Sequence, residues 1–336
     1  MTSFNKNNDL PKEPLILNCL KPEYLKAGDT IALISPSYHV SREYVEKGAE
    51  VLRSWGFATL IGPNVGKIHD VKYAGTIEER LSDFRWALGK PEVKAIICNR
   101  GGLGSIQLID LLKYDEFAAN PKWMVGFSDI STFHGLMTRA GVMSIHGTMI
   151  KSLAEGGQDG TCVLMRNLLL GQVPHYELPP HPQNIEGKAN GTLVGGNLCT
   201  VAPNIGSQAD ALAGHDLILF LEEVKEPMHN VDRQFNILRM NGELDRCKGV
   251  DLGEFINCGT EGSCGTIEAM LHHYFEEQGI PVICGFPAGH GEVNLPLVMG
   301  APVPMEVRTD GATLQFDIEG EQHTISIENP NPKKEE

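Results

Sequence analysis

The sequence predicts an α/β protein in which an N-terminal domain built on a parallel sheet is followed by a C-terminal domain of mixed α/β structure. Three observations support this fold class. Short apolar, β-branched runs alternate with stretches of helical spacing from Asp29 to about residue 150. A proline-rich stretch then interrupts the alternation. The length of 336 residues suits two domains of roughly 150 residues each.

The N-terminal domain is predicted over residues 25–173, after a polar segment of residues 1–24. Its strands are the apolar runs Thr30–Ile34, Ala58–Ile61, Val93–Cys98, Met124–Phe127 and Val142–Ile145. Its helices are Arg42–Trp55, Ile77–Leu88, Ser105–Leu112, Ile130–Arg139 and Cys162–Leu170. Parallel strands need crossover helices, which cover both faces of the sheet. The domain is therefore predicted to be three-layered and flavodoxin-like, with ligands at the strand carboxyl ends.

A linker is predicted over residues 174–190, because its four prolines exclude a regular helix or a central strand. The C-terminal domain follows over residues 191–328, and residues 329–336 form a polar tail that is expected to fray. The predicted elements of this domain are a strand at Leu217–Leu221, helices at Val231–Met240 and Ile267–Glu277, an apolar run at Val282–Cys284 and a hairpin turning at Asp310-Gly311.

Charge and hydropathy exclude several classes of partner. The chain has 28 Lys and Arg against 43 Asp and Glu, a net charge of −15, which repels phosphate backbones and anionic membrane surfaces. Its apolar runs are far shorter than the roughly 18 residues that a spanning helix needs. The first 20 residues lack the apolar core of a secretory signal. We therefore expect neither a nucleic-acid partner, nor a membrane span, nor export.

The most informative segment is an apolar strand that ends at Gly126-Phe127, with Ser128 at the turn and a helix directly after it. A serine in such a turn can be a nucleophile, and the backbone amide of Asp129 would then point at the group under attack. The hydrolase signature requires glycine two residues after the serine, where Ile130 stands. A serine before a helix also serves as an N-cap, and spacing alone favours that interpretation.

A glycine-rich turn follows another predicted strand, with the sequence Asn99-Arg-Gly-Gly-Leu-Gly104. Glycines let backbone amides approach a ligand closely, so this turn could supply a second oxyanion donor. It could equally be a dinucleotide loop or a tight connection, although the full GxGxxG spacing is absent. A nucleotide-dependent oxidoreductase would depend on this turn alone.

Among the twelve histidines, His290 is the first candidate for a general base, because glycines flank it in a loop after an apolar strand. His146, at the end of a first-domain strand, is the second candidate and is expected to face substrate or to be structural. Glu222 and Glu223 end an apolar strand, and alternation along a strand lets only one of them face the site. A plain charged strand end is the alternative.

A zinc site is a weaker possibility. Cys258, Cys264, His272 and His273 are close in sequence, but the five-residue gap between the cysteines departs from the usual spacing of zinc ligands. Adjacent histidines on a helix also diverge by about 100 degrees. We therefore predict no metal site.

Six short motifs occur in a fixed order between about residues 25 and 305. The motifs are Arg100-Gly-Gly-Leu-Gly104, Gly126-Phe-Ser-Asp129, His146-Gly147, Gly195-Gly-Asn-Leu198, Phe220-Leu-Glu-Glu223 and Gly289-His-Gly291. Together they resemble the LD-carboxypeptidase family of serine peptidases, which also includes the microcin C self-immunity peptidases. Each motif alone is weak, and their order across two domains makes the resemblance specific.

The resemblance implies a Ser-His-Glu triad of Ser128, His290 and Glu222. It also implies an oxyanion hole formed by the backbone amide of Asp129 and one glycine amide, for which we choose Gly102 over Gly101. Family members are metal-free, need no cofactor, are cytoplasmic and are commonly homodimers. The remaining candidates for substrate binding are Arg100, Gly101, His146, Asn197 and Arg233, the two arginines being chosen by position as local cations.

The activity that this resemblance implies is release of terminal D-alanine from a murein tetrapeptide during cell-wall recycling. Two alternatives remain at this point. One keeps the fold but changes the substrate to an aminoacyl-nucleotide antibiotic of the microcin C type. The other is a non-catalytic two-domain binding protein in which Ser128 is only a cap.

Overall fold

Two β-sheets with helices packed on them make up the computed structural model, which describes residues 17–156, 160–259, 265–276 and 278–328. The strands of the first half are β1 (Thr30–Ile34), β2 (Ala58–Ile61), β3 (Val93–Cys98), β4 (Trp123–Gly126), β5 (Ser144–His146), β6 (Gln172–Leu178) and β7 (Gly187–Asn197). Those of the second half are β8 (Leu217–Val224), β9 (Cys247–Ile256), β10 (Val282–Cys284), β11 (Leu297–Met299), β12 (Pro302–Arg308), β13 (Gly311–Gln315) and β14 (Glu321–Ser326).

The α-helices follow the predicted alternation. They are α1 (Arg42–Ser54), α2 (Ile77–Gly89), α3 (Tyr114–Ala118), α4 (Ser131–Arg139), α5 (Ile150–Gly156), α6 (Gly160–Leu169), α7 (Leu198–Val201), α8 (Met228–Met240) and α9 (Ile267–Glu276). Local chemistry fixes two of the starts. The Ser41 side chain accepts a hydrogen bond from the Tyr44 amide, and Thr76 and Glu79 form a reciprocal capping box at α2.

The first sheet has six strands in the order β11-β5-β4-β3-β1-β2. Strands β1 to β5 pair in parallel, and β11 is antiparallel to β5. This agrees with the predicted parallel-sheet domain. The added strand β11 comes from the far end of the chain, so the polypeptide returns to the first sheet after building most of the second.

The second sheet has eight strands in the order β10-β9-β8-β7-β12-β13-β6-β14. Strands β7 to β10 pair in parallel, whereas β12 and β13 form the predicted antiparallel hairpin. One apolar core joins the two sheets, with Leu33 and Trp123 from the first and Phe220 from the second. The mixed α/β prediction for this half of the chain is confirmed.

Two predicted elements were wrong. Residues 105–112 form two 3₁₀ turns, because Ser105 directs its amide and hydroxyl to Asp129 and the Ile109 carbonyl accepts from Gln208. Those tertiary bonds outweigh the helical spacing. The predicted linker also contains most of β6, an interior strand of the second sheet that includes Pro174. Pairing of β6 with β13 begins only at residue 175, so the missing proline N–H disrupts no bond on that side.

In the described part of the chain, the core contains a carboxyl group that lacks hydrogen-bond partners. Asp251 in β9 is fully buried, and neither of its side-chain oxygens has a hydrogen-bond partner among the described residues. Burial raises the pKa of Asp251 well above its ordinary value. Its folded form therefore keeps a proton that the unfolded chain releases near pH 4. The free energy of unfolding is therefore least reduced by Asp251 below about pH 4, where both forms hold the proton, and it falls as the pH rises towards the folded-state pKa.

We expect Asp251→Leu to raise the free energy of unfolding by about 1–3 kcal/mol at neutral pH, because it removes a buried unpaired polar group. The gain should grow with pH. Urea unfolding at pH 5 and pH 8 measures both effects. Asp83→Leu is the matched control, since the buried Asp83 carboxylate accepts from Asn64 and its loss should destabilise the fold. Equal destabilisation by both substitutions would contradict this account.

Candidate active site

Ser128 lies in a strained turn at the carboxyl end of β4. Its φ is +64°, a value that residues other than glycine rarely adopt. Ser128 is also the first residue of a 3₁₀ turn that leads directly into α4. Such a conformation costs about 1–3 kcal/mol and persists only where its surroundings impose it. The N-cap interpretation is wrong, because no side-chain capping bond forms at the start of this turn or of α4. The turn leaves Ser128 partly accessible at the carboxyl end of β4, as a nucleophile elbow does.

The Asp129 carboxylate ties this turn to two neighbouring segments. One of its oxygens, Oδ2, accepts two hydrogen bonds. One comes from the Ser37 hydroxyl, and the other, at 3.0 Å, comes from the Ser105 backbone amide. The Asp129 carbonyl accepts from the Ser105 hydroxyl at 2.6 Å. These bonds explain why the turn keeps its strained geometry. The sequence did not identify Ser37 and Ser105 as residues that support the turn, because their local sequence does not distinguish them from other loop serines.

The glycine turn lies against Ser128. A Cβ added to Gly101 would stand 2.9 Å from the Ser128 Cβ and 3.2 Å from its Oγ, so only glycine fits there. Gly102 has a φ of +118° and packs against Tyr38. Below the turn, the buried Arg80 donates to the Pro36 and Gly104 carbonyls at 3.0 and 2.8 Å. Arg80 was also missed, because it lies within an ordinary amphipathic helix.

Glu222 and His290 form the second half of the site. The carboxylate at the end of β8 lies 2.7 Å from His290 Nδ1 through Oε2, and its side chain is 0% exposed. Gly289 makes this approach possible, since a Cβ there would stand 2.6 Å from that same oxygen. Burial acts to lower the pKa of His290, but the hydrogen bond and charge of Glu222 outweigh it and raise the pKa. Burial raises the pKa of Glu222.

Glu223 has a different environment from Glu222. Its carboxylate accepts from the Asn197 side chain at 2.9 Å and from the Cys199 and Val224 amides at 2.8 Å each. It thereby holds the first turn of α7. Both glutamates are buried, so a plain charged strand end does not describe them. Only Glu222 contacts His290.

The Ser128 turn and the His290 loop meet through an aromatic ring. Phe127, which immediately precedes Ser128, has its ring centroid 5.0 Å from that of His290 in an edge-on contact. The two halves of the chain thus bring residues 127 and 290 into direct contact. Ser128, His290 and Glu222 therefore lie in one region at the carboxyl ends of β4 and β8.

The other predicted binding residues have diverse surroundings. Arg100 is partly buried, with its guanidinium 4.9 Å from the centre of the Tyr38 ring, whereas Arg233 is exposed and bonded to Asn230. Asn197 is 5% exposed and holds Glu223. His146 is fully buried beneath the His290 loop, so it presents no open surface to a substrate.

Metal and membrane features complete the description of the site. Within the described ranges, no cluster of three or more His, Cys, Asp or Glu side chains is arranged to bind a metal ion. Cys264, part of the weaker zinc possibility, lies outside those ranges. None of the described helices combines the length and the apolar character that crossing a bilayer requires.

Comparison with known proteins decides the family. Residues 31–147 match the LD-carboxypeptidase N-terminal domain, and residues 190–305 match the LD-carboxypeptidase C-terminal domain. A Synechocystis protein named as a carboxypeptidase is 33% identical over 92% of this chain and 99% of its own. This chain belongs to the LD-carboxypeptidase family. As a member of that family it is a peptidase, a hydrolase that acts on amide bonds.

LD-carboxypeptidase relatives of two kinds are similar to this chain. The murein tetrapeptide carboxypeptidase of Pseudomonas aeruginosa is 29% identical over 79% of this chain and 89% of its own. The microcin C7 self-immunity protein MccF of Escherichia coli is 28% identical over 84% of this chain and 92% of its own. The solved muramoyltetrapeptide carboxypeptidase of Oxalobacter formigenes superposes with a TM-score of 0.77 at 26% identity, covering 87% of this chain and 99% of that one.

Proposed function

We propose that this LD-carboxypeptidase family member releases the terminal D-alanine of a murein tetrapeptide through Ser128, His290 and Glu222. The observation that carries the proposal is the 2.7 Å contact between Glu222 and His290 Nδ1, beside the strained turn that presents Ser128. A buried acid, a histidine and a solvent-accessible hydroxyl in series are what nucleophilic catalysis on an amide requires.

In the acylation step, Glu222 keeps the proton of His290 on Nδ1, so Nε2 is free to take the Ser128 proton. The Ser128 oxygen then attacks the peptide carbonyl. Backbone amides of Asp129 and Gly102 donate hydrogen bonds to the resulting oxyanion. His290 passes its proton to the leaving amine of D-alanine, the C–N bond breaks, and an ester to Ser128 remains.

In the deacylation step, neutral His290 removes a proton from water, which attacks the ester carbonyl. The same amides stabilise the second oxyanion. Collapse of that intermediate returns the proton to Ser128 and releases the shortened peptide. The buried, ionised Glu222 stabilises the imidazolium in both steps, which agrees with the raised pKa of His290.

Recognition of a terminal carboxylate needs a local cation, because the chain as a whole carries a net charge of −15. Arg100 lies two residues after the end of β3 and adjoins the Gly101 turn, which makes it the first candidate. Arg233 is the second, as an exposed cation of the other domain on α8. Each is a proposed contact of the substrate carboxylate.

The substrate is tested by incubating the purified enzyme with murein tetrapeptide, free or on its disaccharide, and measuring D-alanine release. We expect one D-alanine per peptide. An aminoacyl sulfamoyl adenosine serves as the competing substrate. Cleavage of that compound without any D-alanine release would overturn the murein assignment and favour a self-immunity activity. A cytoplasmic homodimer, which the family resemblance implies, is checked by fractionation and light scattering.

Gly101→Ala is expected to lower kcat by roughly 10–100-fold, since the new methyl group would collide with Ser128 and displace it by a few tenths of an ångström or more. KM should change less than kcat. Gly89→Ala is the control, because a Cβ there meets no atom within 4 Å. A Gly101→Ala enzyme with normal kcat would show that the glycine turn does not support the nucleophile.

A further inference from the structure

The loop that carries His290 crosses from one sheet to the other. It leaves the second sheet after β10 and joins the first sheet as β11, which pairs with β5 through Leu297 and His146. His290 lies midway along this connection, two residues beyond the Ala288 carbonyl, which accepts a backbone hydrogen bond from Glu254 of β9. A further contact is needed to hold the Gly289-His290 segment itself in place.

Asn294 supplies that contact within the loop. Its side-chain Oδ1 accepts the Gly289 backbone N–H at 2.9 Å and lies 3.1 Å from His146 Nε2. A backbone amide can only donate, so Oδ1 is the acceptor in the first bond. The same oxygen must also accept in the second, and His146 therefore carries its proton on Nε2. Asn294 is 8% exposed and His146 is 0% exposed.

His146 is neutral in this arrangement. Its Nδ1 is buried and has no hydrogen-bond partner among the described residues. Burial, reinforced by the neighbouring His134 and His290, lowers the pKa of His146 to about 3, even though the bond to Asn294 acts in the opposite direction. A neutral ring with the proton on Nε2 is the one form that donates to Asn294 without placing a charge in the core.

Packing leaves this assembly little room to move. The His146 ring contacts Phe220 at 5.0 Å and Phe127 at 5.8 Å between centroids, and Phe127 in turn contacts His290 at 5.0 Å. Gly289 lies directly against the Glu222 carboxylate. A shift of the Gly289 backbone would therefore move His290 away from both Glu222 and Ser128.

We propose that His146 and Asn294 are positioning residues, which hold the Gly289-His290 segment through a shared hydrogen-bonded oxygen and do not touch substrate. This inference rests on the proposed function, because it takes His290 as the general base. It replaces the expectation that His146 binds substrate. It also assigns a role to Asn294, which no sequence motif identified.

The test compares Asn294→Ala, His146→Phe and His146→Gln with wild type. Asn294→Ala and His146→Phe should lower kcat by roughly 10–100-fold with little change in KM, because a small displacement of the base slows proton transfer more than binding. His146→Gln should recover much of the loss, since its amide nitrogen can donate to Asn294. Asn204→Ala, at a buried asparagine of the second domain that makes a 3.4 Å bond to Thr132, controls for loss of a core amide.

A second readout does not depend on the substrate. In isotope-labelled protein, NMR titration should show His290 with a raised pKa in wild type and a lower one in Asn294→Ala, as its bond to Glu222 loosens. His146 should stay neutral throughout. Labelling of Ser128 by a fluorophosphonate should slow in parallel. These effects in an enzyme that releases no D-alanine would refute the murein substrate but support the positioning role.

Two results would overturn the proposal. In the first, folded Asn294→Ala and His146→Phe proteins keep the wild-type His290 pKa and the wild-type labelling rate. In the second, the substitutions raise KM and leave kcat unchanged, which would place His146 or Asn294 in contact with substrate. Thermal unfolding of each variant, read against Asn204→Ala, separates a general loss of stability from either result.

Discussion

Ser128→Ala should lower kcat by about 10⁴–10⁶-fold, because the hydroxyl that forms the acyl-enzyme is gone and only binding and the oxyanion donors remain. KM should stay within a few-fold of wild type. Stability should not fall, since alanine leaves the Asp129 bonds that hold the turn in place. Steady-state D-alanine release and thermal unfolding measure the two effects.

A matched control for this substitution is Ser54→Ala, on the exposed side of α1, where the lost hydroxyl bonds only to the Val51 carbonyl. It should retain full activity. Mass spectrometry of wild type with slowly turned-over peptides should also detect the acyl group on Ser128. Full activity of a folded Ser128→Ala enzyme would show that Ser128 is not the nucleophile and would refute the proposed mechanism.

Glu222→Gln should lower kcat by about 10⁴-fold, because an amide that donates to His290 Nδ1 forces the imidazole into the wrong tautomer. The acid limb of the pH profile should also move. Burial acts to lower the pKa of His290, whereas the hydrogen bond and charge of Glu222, with a smaller contribution from the charge of Glu223, raise it in the wild type. Without the carboxylate, the limb should shift to lower pH, while the maximal rate falls.

Glu223→Gln distinguishes the two neighbouring glutamates. Glu223 accepts hydrogen bonds from Asn197, Cys199 and Val224, so the amide leaves a buried donor unpaired. Its free energy of unfolding should fall by about 1–3 kcal/mol with kcat within a few-fold of wild type. If Glu223→Gln abolished kcat and Glu222→Gln did not, the assignment of the acid would be reversed.

Four strands, Pro174 and Ser105 show how far the local sequence could predict the fold. Periodicity located β1, β2, β3 and β10 with their observed bounds, since strand alternation and apolar runs are local properties. It failed at Pro174, because whether a proline disrupts a sheet depends on which side of the strand is paired. It failed again at Ser105, whose bonds reach a residue 24 positions away.

Ser128 and the two glutamates show the same limit within the site. A strand, a turn and a helix were predicted around Ser128, but spacing favoured a cap, since the φ of +64° is imposed by the Asp129 bonds across segments. Alternation allowed either glutamate to face the site. The irregularity of β8 between residues 221 and 223 and the position of His290 select Glu222.

Hydrophobic periodicity and short motifs were enough to predict the α/β class, the order of most elements and the residues that resemble those of a serine peptidase, because both are properties of neighbouring positions. Which of those residues meet depends on contacts between distant parts of the chain. The Glu222–His290 bond spans 68 positions and the His146–Asn294 bond spans 148. Such contacts depend on the path of the whole chain between two sheets, and local propensity carries no information about that path.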